Sequence, residues 1–404
     1  MEVTRKGFMK GFAGALFAGG FLGRATEMLA QAQQTSNSHP RQTRIADVTV
    51  WPFTMQQKET LRIALGNMGA DNVLVRLRTN DGVVGWGESS PFSPVMGETQ
   101  ASDLTMSKHL ADIVKGRDPF TIPKIVLDME AFVPGHPGIK AAFEMALWDI
   151  AGKLSNQPVC CMLGSFRDST LTDKTVFLDT PEVMAQKAKK ITDMGFKVVK
   201  VKLGEAPEYD FKRLSAVRAS IGPSIGIRID ANQAWNAATA VRALKLLEPL
   251  NVEFCEQPVP HWDWDGLKYV RDHSPIAIMA DECIHTPHDA IEAVRRDCCD
   301  MINIKVMKSG GILNSMRIAQ IADAANMKCM FGCMSEIKVA ITAAAHVLMA
   351  SPNAVYADLD SFTEYDADPV IGGVLLKDGS LSIAEKPGLG LDIDAAWLKG
   401  LRSI

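Results

Sequence analysis

Phe196-Lys197-Val198-Val199-Lys200-Val201-Lys202-Leu203-Gly204 is a short valine-rich run that carries charge on alternate residues and ends in glycine. The β-branched residues mark a strand. Residues two apart on a strand point the same way, so Lys200 and Lys202 project together. The same pattern recurs down the chain. IGIRIDAN (225–232) carries Asp230, VEFCEQP (252–258) Glu256, IAIMADE (276–282) Asp281, MINIKVM (301–307) Lys305 and AVYADLD (354–360) Asp358 and Asp360. From Lys202 to Asp358 the steps are 28, 26, 25, 24 and 53 residues, and Cys333 of KCMFGC falls near the middle of the long one. A step of about 25 residues accommodates one strand, one helix and two short loops. With KTVFLD (174–179), which carries Thr175, there are eight strand candidates separated by helical stretches such as PEVMAQKAKKITDMG. This is the pattern of an α/β TIM barrel, whose strand C-termini converge on one mouth. An open doubly wound sheet is the alternative, but no glycine-rich phosphate fingerprint follows an early strand.

Before the barrel, residues 44–53, 72–79 and 83–88 alternate as strands, with a hairpin signal at Asn80-Asp81-Gly82. Helical patterns follow near 98–115 and 137–155. Three strands and then helices describe a small α+β domain. The boundaries expected are an α+β capping domain at 44–165, the barrel at 166–365, and a C-terminal segment at 366–404 that packs back on the capping domain. At the start of the chain, Arg5, Lys6 and Lys10 flank the short apolar run 11–22, and Leu29-Ala30-Gln31-Ala32 offers a small-x-small cleavage pattern. Residues 1–32 therefore read as a signal peptide, followed by a linker at 33–43. The stretch 4–10 is similar to a twin-arginine export motif with Lys6 in place of the second arginine. The expected location is the periplasm or beyond, with no membrane attachment once the leader is removed.

The chain has 404 residues, 47% apolar and 22% charged, which suits a large globular core. A net charge of −4 provides no basic surplus for nucleic acid. The eight cysteines show no CxxC or Cys/His zinc spacing and read as buried thiols.

Asp230, Glu256 and Asp281 each close an apolar strand, where a carboxylate is costly to bury unless it is paired or bound to a metal. Three such groups from neighbouring strands suit a hard cation, Mg²⁺ above all. Lys305, four strands round from Lys202, faces it across the mouth. Like charges at Lys200 and Lys202 are expected to lower their pKa values toward neutrality. One lysine would then take a proton from one face of a carbon while the other returns it to the opposite face. The cation would stabilise the charge that develops on a substrate carboxylate.

These residues resemble the enolase superfamily, in its mandelate racemase and muconate-lactonizing subgroup. The resemblance rests on KVK (200–202), DAN (230–232), EQP (256–258), DE (281–282), NIK (303–305) and AAFEMALWDIAGK (141–153). It implies a modified barrel under a capping domain. It also implies Mg²⁺ on Asp230, Glu256 and Asp281, acid/base work by Lys202 and Lys305, and assistance from Lys200. The pair Asp358 and Asp360, with GCMSE (332–336), is similar to the dipeptide epimerase signature. There the two carboxylates would hold a substrate ammonium, and Thr175 and Cys333 would line the site. The resemblance thus implies a dipeptide epimerase acting at the α-carbon of the second residue, with L-Ala-D/L-Glu as the natural candidate substrate, placed in cell-wall peptide metabolism and assembled as a homo-oligomer. An N-acylamino-acid racemase, a succinylbenzoate synthase or a cycloisomerase of the same subgroup is the alternative. Relatives favouring glutamate can carry an arginine in the capping loop. Gly66 stands at the matching position, with Lys58 and Arg62 nearby, so a neutral or hydrophobic second residue is also open.

Overall fold

The computed structural model describes residues 42–403. The expected signal peptide, the export motif and linker residues 33–41 lie outside the described residues.

The capping domain is built on an antiparallel sheet in the order β1 (Ile45–Thr54), β2 (Asp71–Thr79), β3 (Val84–Ser89). Three helices cover it: α1 (Gln100–Val114), α2 (Ile122–Phe132) and α3 (Pro137–Ser155). Alternation along β2 sends Val73, Val75 and Leu77 into a core with Leu110, Ile125, Ile139, Phe143 and Ile150. α3 is buried along almost its whole length. It lies against β3 on one side and against the barrel's short helix Val306–Ser309 on the other. Contact with β3 is backbone-close: a Cβ on Gly87 would sit 1.8 Å from the Ala142 carbonyl oxygen, so only glycine fits there. α2 was not foreseen, because Pro123 reads as a breaker. It occupies the first turn, where its missing N–H costs nothing.

The barrel strands are β4 (Lys174–Val176), β5 (Val198–Lys202), β6 (Gly226–Asp230), β7 (Phe254–Glu256), β8 (Ala277–Ala280), β9 (Met301–Ile304), β10 (Lys328–Gly332) and β11 (Ala354–Asp358). Each pairs in parallel with the next. The ring is nearly closed by Asp173 N–H donating to the Ala357 carbonyl at 3.1 Å, and by Leu359 N–H donating to Thr172 Oγ1 at 3.0 Å. Helices follow β4 to β10, but β11 leads only into the 3₁₀ turn Ser361–Glu364. This is the modification of the barrel. β4 is also shorter than the run KTVFLD.

Period-two alternation divides the barrel interior into levels. The lower level is apolar, with Phe254, Met279, Met301 and Met330. Arg228 lies beside them, 4.8 Å from the Tyr356 ring, and is paired with Asp173 at 2.7 Å and Glu253 at 3.0 Å. Two residues further along each strand the charged mouth begins. There Lys202 sits opposite Asp230, Asp230 opposite Glu256, and Gly332 opposite Asp358.

The tail adds Val374–Lys377 and Ser380–Ile383 to Ser169–Leu171 as a small sheet beside the barrel. It also reaches the capping domain. Trp86 Nε1 donates to Asp392 at 2.9 Å, Leu389 N–H donates to Asp149 at 2.8 Å, and Trp397 meets Phe53 edge-on. Among the described residues, no helix is long and apolar enough to cross a membrane.

Candidate active site

The turns after β6 and β7 place the mouth's side chains. Asn232 and Gln257 both hold positive φ, at 42° and 33°, which turns the chain sharply off each strand. The Gln257 carboxamide oxygen then accepts the Asp281 N–H at 2.9 Å, tying the end of β7 to the end of β8.

Asp230, Glu256 and Asp281 come from three adjacent strands and are fully buried. Asp230 Oδ2 lies 2.7 Å from Lys202 Nζ and 3.2 Å from Lys200 Nζ. Glu256 reaches Lys200 at 2.8 Å and accepts from Asn303 at 2.8 Å. Asp281 is bridged by Lys305 at 2.8 Å on one oxygen and by Lys308 on the other. Several oxygens around them lack a donor: Asn232 Oδ1, Glu282 Oε2 and Asn303 Oδ1 are buried with no hydrogen-bond partner. A mouth with three carboxylates and unsatisfied oxygens is a donor set that fits a hard dication such as Mg²⁺.

The expectation that a neighbouring like charge lowers Lys200 is not met in this arrangement. Burial works to lower Lys200 and Lys305, but Asp358, Glu256 and Asp230 around Lys200, and Asp281 and Glu256 around Lys305, outweigh it. Both ammonium groups are held above their ordinary values. The sequence showed two lysines side by side and did not show how many carboxylates each would meet. The carboxylates divide. Burial and the charge of Asp230 push Glu256 up to about 7, and burial with Asp281 pushes Glu282 up to about 8. Burial also opposes the ionised forms of Asp230 and Asp281, yet their lysines hold both below the ordinary carboxylate range.

On the other side of the mouth, Asp358 and Asp360 close β11. With Cys333 their ligand-type atoms lie within 4.8 Å of one another. Asp358 Oδ2 takes Lys200 at 2.6 Å, and its Oδ1 is buried without a partner. Asp360 accepts the Thr175 N–H at 2.8 Å and approaches Cys333 Sγ at 3.9 Å. Burial opposes ionisation of Asp358, but Lys200 and Lys202 bring it down to about 2. Burial and the Asp358 charge push Asp360 up to about 6.

One narrow cavity joins Lys202, Thr175, Cys333, Asp358 and Asp360, and Leu61, Met68, Phe177 and Tyr365 also line it. Lys305 lies across the ring, four strands from Lys202, with its Nζ turned to Asp281 and outside the cavity wall. Sequence reasoning missed Lys308, Glu282 and the apolar wall. Lys308 stands three residues after Lys305, one helical turn on. Glu282 lies inside the DE motif. Leu61 and Met68 of the wall flank the capping hairpin Arg62–Ile63/Gly66–Asn67, which carries no strong periodicity, while Phe177 follows β4 and Tyr365 the 3₁₀ turn. The two basic residues near Gly66 turn away: Arg62 pairs with Glu205 at 2.7 Å and Lys58 donates to the Thr363 carbonyl at 2.8 Å.

Residues 45–164 match the mandelate racemase / muconate lactonizing enzyme N-terminal domain, and residues 183–397 match the enolase C-terminal domain-like family. The chain is 40% identical over 351 residues to a hydrophobic dipeptide epimerase of Enterococcus faecalis, a match covering 86% of this chain and 99% of that protein. The crystal structure of a dipeptide epimerase from Cytophaga hutchinsonii, complexed with Mg and D-Ala-L-Val, superposes with a TM-score of 0.88 at 37% identity, covering 89% of this chain and 99% of that one. The Enterococcus faecalis enzyme with Mg and L-Leu-L-Tyr gives 0.85 at 39% identity, covering 86% and 99%. By fold, site and sequence, the chain belongs to the dipeptide epimerase family, within the mandelate racemase / muconate lactonizing branch of the enolase superfamily.

Proposed function

We propose that this protein is a Mg²⁺-dependent isomerase that inverts the α-carbon of the second residue of dipeptides, with a preference for hydrophobic second residues. The observation that carries this reading is the single cavity in which the Asp358–Asp360 pair faces Lys202 beneath Leu61, Met68 and Phe177. A free substrate ammonium would bind the unpartnered Asp358 Oδ1 and the Asp360 carboxylate. The second side chain would rest on the apolar wall, where no arginine waits for a carboxylate.

Asp230, Glu256 and Asp281 would hold the cation. When bound, Mg²⁺ supplies positive charge that draws the carboxylates from the lysines, eases loss of a lysine proton, and favours negative charge on the substrate's terminal carboxylate. Lys202 and Lys305 approach the α-carbon from opposite sides of the ring. One removes the α-proton and the other delivers a proton to the far face, so configuration inverts. Lys200, bridging Asp230, Glu256 and Asp358, keeps these carboxylates in register. The amino-terminal stretch supports export to the periplasm, where cell-wall turnover releases peptides of mixed chirality.

The test is a panel of L-Ala-L-Xaa dipeptides beside N-succinyl amino acids, with Mg²⁺, read by chiral chromatography. Epimers of the Leu, Phe and Tyr peptides support the reading. Turnover confined to N-succinyl substrates, the chemistry named for a relative in Bacillus cereus that is 32% identical, would replace it.

A further inference from the structure

A second constellation of ligating groups lies in the capping domain. Glu98 follows the left-handed Gly97 that ends the helix Ser93–Met96, Asp103 lies in the first turn of α1, and His136 immediately precedes α3. These are three separate segments, yet their ligand-type atoms all lie within 4.8 Å of one another. Glu98 is 2% exposed and Asp103 is fully buried. Among the described residues, no lysine or arginine ion-pairs with either.

Two of the facing atoms lack partners. Glu98 Oε1 and His136 Nδ1 are buried without a hydrogen bond, 3.9 Å apart, a separation too long for one. The outer oxygens are already engaged: Glu98 Oε2 accepts the Gly138 N–H at 2.9 Å and Asp103 Oδ2 accepts the Ser89 hydroxyl at 2.6 Å. Glu98 is thus oriented from behind with its other oxygen unpartnered, and Asp103 is fixed by Ser89, as outer-shell contacts orient metal ligands. Two buried carboxylates at this spacing need either a shared proton or a cation. Burial and the Asp103 charge push Glu98 up to about 8, which states the same demand. The His136 side chain is partly exposed, and its neighbours Gly135 and Pro137, with Met96, line a cavity between the capping domain and the barrel.

We propose that Glu98, Asp103 and His136 form a second, structural cation site for a transition-metal dication of the Zn²⁺ class, which pins the end of the short helix Ser93–Met96 and α1 to the start of α3. One nitrogen and two carboxylate ligands suit Zn²⁺, Co²⁺ or Mn²⁺ better than Mg²⁺. The site is distinct from the all-oxygen set in the barrel mouth.

The experiment uses the full chain stripped with chelator, saturated with Mg²⁺, and titrated with Co²⁺ as the spectroscopic probe. The expected result is one Co²⁺ per chain with a visible d–d band. The His136→Ala and Glu98→Gln variants each weaken that binding at least tenfold, and Asp281→Asn leaves it unchanged. Glu98→Gln conserves volume and the acceptor for Gly138, so it reports on ligation where His136→Ala disturbs folding. Absence of Co²⁺ binding beyond Mg²⁺ in the wild-type protein would overturn the proposal and leave a proton shared between Glu98 and Asp103. Binding abolished by Asp281→Asn but untouched by His136→Ala or Glu98→Gln would overturn it too, since the cobalt would then sit in the barrel mouth.

Discussion

Lys200, Lys202, Lys305 and Lys308 meet Asp230, Glu256, Asp281 and Asp358 in one buried mouth, so each charge is answered before any cation arrives. Single residues there have separable roles. Lys202→Ala or Lys305→Ala is expected to lower epimerisation by about 10²–10⁴-fold, the range for loss of a general acid or base. Each variant should still exchange the α-proton of one epimer only, which NMR in D₂O reads directly. Asp360→Asn should raise KM for free dipeptides about 10- to 100-fold, the cost of a charge-assisted hydrogen bond, with kcat less affected. With Asp360 lying at about 6, its carboxylate is protonated below that pH and loses the substrate ammonium. kcat/KM for a dipeptide should therefore fall as pH drops through 6, a limb that Asp360→Asn removes. These residues were legible in sequence because chemistry at a strand's end repeats at a barrel's period. Lys308 was not, because its partner Asp281 is 27 residues away and the pairing depends on the short helix after β9.

At the scale of elements, the proposed side-chain preference rests on the flanks of the capping hairpin, Leu61 and Met68, above Phe177. Met68→Arg places a cation on that wall. It should lower kcat/KM for L-Ala-L-Leu at least tenfold and raise it for L-Ala-L-Glu, measured in competition. Barrel strands were readable because they repeat the same in–out alternation beneath a charged end. The hairpin was not, since two-residue strands carry too few positions to show a period. α2 was hidden by Pro123 at its start. Lys308, on the turn after β9, has a structural role that the charge balance makes testable. In chelator, Lys308→Met should destabilise the fold at pH 7 by about 3–5 kcal/mol, the usual cost of breaking a buried pair. Asp281 is held well below its ordinary value. Its pairing contributes stability that is present above about pH 4 and lost as pH falls toward the folded-state value. The gap in melting temperature between variant and wild type should therefore narrow in acid.

For the whole molecule, the ion pairs of the mouth predict a cation that acts as a switch in charge balance more than as a staple. The mouth's lysines already hold Asp230, Asp281 and Asp358, so chelation should abolish turnover while moving the melting temperature by only a few degrees. Glu256 at about 7 and Glu282 at about 8 hold protons near neutrality without a cation. Mg²⁺ binding should release protons, and its affinity should fall as pH drops below 7, about tenfold per unit for each proton displaced. Calorimetry in buffers of different ionisation enthalpy counts them. The barrel and the capping sheet follow from patterns visible in the chain, while the tail's contacts with Trp86 and Asp149 join residues far apart in sequence. What the sequence withheld was the third dimension of the mouth, where carboxylates outnumber neighbouring lysines around Lys200 and reverse the expected direction of its pKa.

The most direct measurement is α-proton exchange by the Mg²⁺-loaded protein in D₂O with L-Ala-L-Leu, followed by mass spectrometry and NMR. Deuterium at the α-carbon of the leucine, with the L,D epimer appearing alongside, is the predicted result. Unlabelled peptide after prolonged incubation, across neutral, hydrophobic and acidic second residues alike, would contradict the assignment of Lys202 and Lys305 to dipeptide chemistry.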